Sequence, residues 1–243
     1  MPTPRTVAAG LTLSLALGGA VALAPWTEPA SAAPASWSAT HASSVCGPDL
    51  AALVHEAALA DGASESATLT ATKAVLRDLW VGHVFWVRSV VVARFDGNAA
   101  AEAAAEAEVV ANAKDLAASI EPFYGAEARD ALFELLAGHY GAVKAYLDAA
   151  SGDTGGEQAA LDALLDNAAK LAGFLSTANP NWPEEELLEL LQMHGGHHIG
   201  QIEHLAADEY AEEAEVWSAM TGHMYVIADA LAEGLAAQFP DRF

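Results

Sequence analysis

Six stretches of this chain carry apolar residues at the three- and four-residue spacing of a helix stripe, and no stretch alternates as a half-buried strand would. The first holds Leu76, Leu79, Trp80, His83, Val87 and Val90 on one side of a helix predicted over Leu69–Phe95. Thr68 or Thr70 would cap it, and Asp96-Gly97-Asn98 would stop it. Further helices are predicted over Ala99–Ile120, ended by Glu121-Pro122, then Ala126–Ala150, Glu157–Thr177, Glu184–Leu205 and Glu209–Phe239. Asn179-Pro-Asn-Trp-Pro183 breaks the fourth from the fifth and places Pro183 at a first helical position. The implied fold is all-α: an up-and-down bundle with a four-helix-bundle-like core and one or two additional helices.

The N-terminal part reads as an address. Arg5 supplies a charged start, Val7 to Leu23 is apolar, and Ala30-Ser-Ala32 offers a cleavage site, so residues 1–32 are expected to be a signal peptide. Residues 33–66 are rich in Ala, Ser and Gly, with a short helix predicted around Asp49–Ala60, and read as a flexible arm before a bundle domain at 67–243. The expected product is secreted. Past the signal, 9 basic residues face 32 acidic ones, a balance that repels nucleic acid and anionic lipid. Cys46 is the single cysteine, which excludes an internal disulfide.

Chemistry enters through histidine. His83, His139, His194 and His223 each fall on the apolar stripe of a predicted helix, near its middle, and the middles of bundle helices lie at one level. Four imidazoles meeting in a dry core stay neutral, because burial and mutual repulsion lower each pKa, and neutral imidazole is a metal ligand. His198 follows His194 at i+4 and could chelate the same ion, while His197, Gln201 and His204 share a more polar face suited to a surface site. Met220 and Met224, beside His223, are candidate thioether ligands that would favour copper(I), and nitrogen ligands alone suit copper or zinc. The competing reading satisfies each ring separately, through backbone carbonyls, Ser or Tyr hydroxyls such as that of Tyr140, or buried water.

Several chemistries are excluded by what stands at the key positions. Trp80, Leu136, Leu191 and Met220 precede the four histidines by three residues, so the Glu-x-x-His pairs of di-iron carboxylate bundles are missing. Gly195 stands where a zinc protease of the His-Glu-x-x-His type needs its glutamate. There is no Gly-rich phosphate loop, no nucleophile elbow and no Cys-x-x-Cys-His haem attachment.

The segments Leu79-Trp80-x-x-His83-x-x-Trp86, Glu121-Pro-Phe-Tyr-Gly125, Asn179-Pro-x-Trp-Pro183 and His223-Met-x-x-x-Ala-Asp229 resemble a family of uncharacterised exported bacterial helical-bundle proteins. The resemblance spans about residues 73 to 238. It implies one helical domain built around His83, His139, His194 and His223, and it supplies no reaction. The functional expectation is thus a metal-binding protein for binding, buffering or delivery. A metal-dependent redox or hydrolytic enzyme with an open histidine site is the first alternative, and a metal-free interaction module the second.

Overall fold

The computed structural model describes residues 65–152 and 155–243. The signal peptide, Cys46 and all but the last two residues of the arm lie outside them. Six helices follow one another: α1 (Ala67–Phe95), α2 (Ala99–Tyr124), α3 (Ala126–Ala150), α4 (Glu157–Ala178), α5 (Glu184–Ala206) and α6 (Tyr210–Gln238), with a 3₁₀ turn at Pro240–Arg242. No strand occurs among the described residues.

The helix ends follow local chemistry, in places differently from the sequence expectation. Ser66 caps α1, its Oγ accepting from the Leu69 backbone N at 3.0 Å, while the Thr70 hydroxyl donates back to the Ser66 carbonyl. Asn98 closes the turn after α1 and caps α2 through Oδ1, which accepts from the Ala101 N at 3.1 Å. Pro122 does not end α2. It sits in the last turn, where a missing N–H removes one helical bond, and the helix runs on until Gly125 turns the chain at φ 83°. Pro183 lies one position earlier than expected, as the N-cap of α5.

Consecutive helices pack side by side, and α6 returns to α1, so the six close into a ring; α5 also reaches across to α1 and α3. The core divides into two apolar clusters. One takes Leu76 and Trp80 of α1, Leu132 and Leu136 of α3, and Leu187 and Leu191 of α5. The other takes Val87 and Val90, Val143 and Tyr146, and Ile202 and Leu205 from the same three helices. The odd-numbered helices therefore run in one direction. α2 and α4 run in the other, with Leu116 and Leu171 in the first cluster and Val109 and Leu164 in the second.

The three helix pairs α1α2, α3α4 and α5α6 repeat one another at a period of about 55 residues. Leu76-x-Asp-Leu-Trp-x-x-His83 corresponds to Leu132-x-Glu-Leu-Leu-x-x-His139 and to Leu187-x-Glu-Leu-Leu-x-x-His194. On the return helices Val109, Asn112 and Leu116 correspond to Leu164, Asn167 and Leu171, and to Met220, His223 and Ile227. A shared contact ties the members together. Asn112 Nδ2 donates to the Leu79 carbonyl at 2.9 Å, Asn167 Nδ2 to the Leu135 carbonyl at 3.0 Å, and His223 Nε2 lies 2.8 Å from the Leu190 carbonyl. Each acceptor stands four residues before His83, His139 or His194.

Two of the distinctive segments meet at one end of the bundle and build it. Fully buried Asn179 donates to the Gly234 carbonyl at 2.9 Å and to the Tyr124 hydroxyl at 3.1 Å, and Tyr124 donates to Gln238 Oε1 at 2.6 Å. Trp182 packs so closely over α6 that a Cβ on Gly234 would lie 1.9 Å from its Nε1.

Candidate metal centre

Between the two apolar clusters lies a polar layer. His83 projects from α1, His139 from α3, and His194 and His198 from successive turns of α5; all four are buried, His194 and His198 to 1 % exposure. Every ring is near every other: the six centroid separations run from 4.5 Å for His194–His198 to 5.9 Å for His83–His139. One nitrogen from each ring can be chosen so that all four lie within 4.8 Å of one another. Nitrogens bound tetrahedrally at about 2.0–2.1 Å sit roughly 3.3 Å apart, so side-chain rotation of an ångström or so gathers the set on one ion.

The tight spacing on α5 depends on glycine. A Cβ on Gly195 would come within 3.2 Å of Leu164 Cδ2, so α4 and α5 approach more closely there than an alanine would allow without displacement. The helix itself continues unbroken through Gly195 and Gly196. Trp80 closes the layer from the first cluster, its ring meeting His83 and His194 edge-on at 6.2 and 6.3 Å.

The layer is electrostatically dry. Burial, with a further push from His139, lowers His83 to about 3, and burial lowers His139 to about 4. His194 and His198 are held well below the ordinary imidazole range, by burial first and by neighbouring rings second. All four rings are accordingly neutral at pH 7, each with a lone pair to offer. Both ring nitrogens of His194 and the Nε2 atoms of His139 and His198 are buried with no hydrogen-bond partner among the described residues. A buried polar atom left so costs about 1–3 kcal/mol, and a core built only for packing would have no reason to keep several in one place. A metal ion could supply a partner for one lone pair on each of His139, His194 and His198, with His83 offering a fourth donor.

Of the histidines expected at the centre, His223 stands apart. Its repeat counterparts are Asn112 and Asn167, and like them it bonds the carbonyl one turn before a ligand; its ring lies 5.5 Å from His197. His198 holds the fourth place, opposite Val87 and Val143 in the other repeats. Met220 and Met224 are fully buried in the first apolar cluster, at positions occupied by Val109 and Ala113 and by Leu164 and Ala168 in the other repeats, so each fills a core position. The proposed surface site of His197, Gln201 and His204 does not form. Gln201 is buried and donates to Glu213 at 3.2 Å, and His204 pairs with Glu209 at 2.8 Å. Tyr140 donates to Glu106 at 3.0 Å and serves none of the rings.

Comparison of the chain with protein-family models, curated proteins and solved structures gives no match. The histidine layer is therefore read from its own geometry. It offers four neutral nitrogen donors on three helices, a set suited to a borderline or soft transition metal and unsuited to calcium or magnesium, which take oxygen.

Proposed function

We propose that this chain is an exported helical-bundle protein that holds one transition-metal ion, copper or zinc, through His83, His139, His194 and His198, for binding, buffering or delivery outside the cytoplasm. The observation that carries the reading is the meeting of four buried imidazoles from three helices with several ring nitrogens lacking any other partner. The signal-like residues 1–32 support the exported address, and the formal charge of −23 raises the local concentration of cations at the surface. Four protein ligands satisfy a tetrahedral ion completely, which suits holding and passing on more than turnover.

The test is elemental analysis of the mature protein after removal of loosely held ions, beside a variant with the four histidines changed to Ala. One copper or zinc per chain that vanishes in the variant is the expected result. A wild-type chain that retains no stoichiometric metal even after reloading in vitro overturns the proposal.

A second reading, a metal-dependent enzyme, is favoured by one feature. A cavity of about 80 Å³ lies between α1, α2 and α3, lined by His83 with Val109, Val110, Ala113, Phe133 and Tyr140 among others. Small uncharged reactants such as dioxygen could reach the His83 side of the layer through it. Exchangeable bound water and turnover in the loaded protein would select this reading over storage.

A further inference from the structure

The repeat separates what His223 must do for the fold from what it could do besides. In two of the three helix pairs an asparagine, Asn112 or Asn167, makes the bond to the carbonyl that precedes the ligand by one turn. In the third pair His223 makes it through Nε2. Donation from Nε2–H leaves Nδ1 as the ring's lone-pair atom, a tautomer fixed by a carbonyl acceptor as is usual for metal-ligating histidine. The asparagines show that the carbonyl bond alone does not call for an imidazole.

The neighbour of that ring is another imidazole found only in the third repeat. His197, whose counterparts are Trp86 and Ala142, is half-buried, and its ring centroid lies 5.5 Å from that of His223 at an interplanar angle of 68°. This spacing falls inside the range found within the buried layer. His197 Nδ1 is buried and has no hydrogen-bond partner among the described residues. On the solvent side Met193, 55 % exposed, stands one helical turn before His197 on the same face. On the inner side His197 adjoins His198 in the chain and follows His194 by three residues, so one turn of α5 carries a donor of each set.

We infer that His197 and His223 form a second, weaker metal site between solvent and the buried layer, through which copper or zinc is loaded. Two imidazoles leave coordination positions for water or for the Met193 thioether, which makes the site exchangeable where the four-histidine layer is closed. An ion held there is one helical turn from His194. The hand-over part of this inference rests on the four-histidine reading; the existence of the second site does not.

The repeat also supplies the variant that tests it. His223→Asn restores the residue used at the same position in the other two pairs and so keeps the carbonyl bond while deleting one donor; His197→Ala does the same with the residue of the second pair. The probe is cobalt(II), whose visible absorption reports coordination, followed in rapid mixing and in equilibrium titration, with zinc as competitor. Wild-type protein is expected to show one tight and one weak equivalent. Both variants are expected to lose the weak equivalent and to fill the tight one about tenfold more slowly or worse, the scale on which local capture raises association rates. Variants that load at the wild-type rate and keep the weak equivalent overturn the inference. A wild-type chain with no tight equivalent refutes the four-histidine layer instead, and the second site then stands or falls on whether a weak equivalent disappears in His223→Asn.

Discussion

Replacing His194 with Leu is expected to make the metal-free protein more stable. Both ring nitrogens of His194 are buried without partners among the described residues, the side chain is 1 % exposed, and its neighbours across the layer are other imidazoles that repel its charged form. Each orphaned polar atom costs about 1–3 kcal/mol, and a leucine of comparable volume removes both while adding a shape mismatch of up to about 1.5 kcal/mol. Taking the lower half of that per-atom range, the balance is a net gain of about 1–3 kcal/mol. For a domain of this size each kcal/mol moves Tm by about 2–4 °C, so a rise of roughly 2 to 12 °C follows. With metal the order reverses. An ion at a thousand times its Kd adds about 4 kcal/mol to a native state that binds it, and a layer with three imidazoles left loses most of that. The assay is thermal unfolding of both proteins at pH 8, first with chelator and then with one equivalent of zinc. A histidine that holds the core by its own bonds would behave oppositely, so a lower Tm for His194→Leu in chelator refutes the reasoning.

Acid should open the metal-free bundle through the same residues. A histidine whose folded pKa lies below its unfolded value of about 6.5 contributes stability that is complete above that pH and is lost as pH falls towards the folded pKa, at about 1.4 kcal/mol per pH unit per group. With His83 near 3 and His139 near 4, that loss runs from about pH 6.5 down to about 4 for His139 and about 3 for His83, and a His83→Leu, His139→Leu double variant should unfold at lower pH in an acid titration followed by circular dichroism. Gly234→Ala should cost about 3 kcal/mol or more in urea unfolding, because its Cβ would fall 1.9 Å from the buried Trp182 ring nitrogen; a neutral result would contradict that packing. Arg88 holds the buried Glu213 carboxylate with two bonds of 2.6 and 2.7 Å, and Arg88→Met should destabilise by about 2–3 kcal/mol, discounted for the partial exposure of Arg88. That deficit should shrink on acidification through the Glu213 pKa, which Arg88 holds below the ordinary carboxylate value.

The helical class and most helix ends could be read from apolar spacing and turn residues, because each is fixed within a few residues of chain. Pro122 misled for a local reason: a proline in the last turn removes one bond of an ending helix and need not stop it. The histidine cluster was legible in part. His83, His139 and His194 occupy the same place in three repeats, which a comparison of Asp78-Leu-Trp, Glu134-Leu-Leu and Glu189-Leu-Leu would have exposed. His198, already a candidate beside His194, joins the cluster, whereas His223 falls outside it, because an apolar stripe says that a face is buried but not which layer it meets. In a ring of six helices the centre belongs to α1, α3 and α5, and a histidine on α6 reaches a carbonyl of α5 instead. Asn112 and Asn167 gave no sign in isolation, since the carbonyls they bond belong to other helices.

The distribution of the clustered histidines, at least one on each helix pair, bears on what a shared ion would tie together. Joining His83 to His139, or His139 to His194, closes a loop of roughly 55 residues, and a covalent tie over that length restricts the unfolded chain by about 4 kcal/mol. The lone cysteine of this sequence cannot provide such a tie within one chain. A shared metal–nitrogen junction can, and it differs from a disulfide in what breaks it: reductants leave it intact, whereas chelation and acid undo it. On the proposed reading, the rigidity of the bundle would be set by metal supply rather than by redox poise.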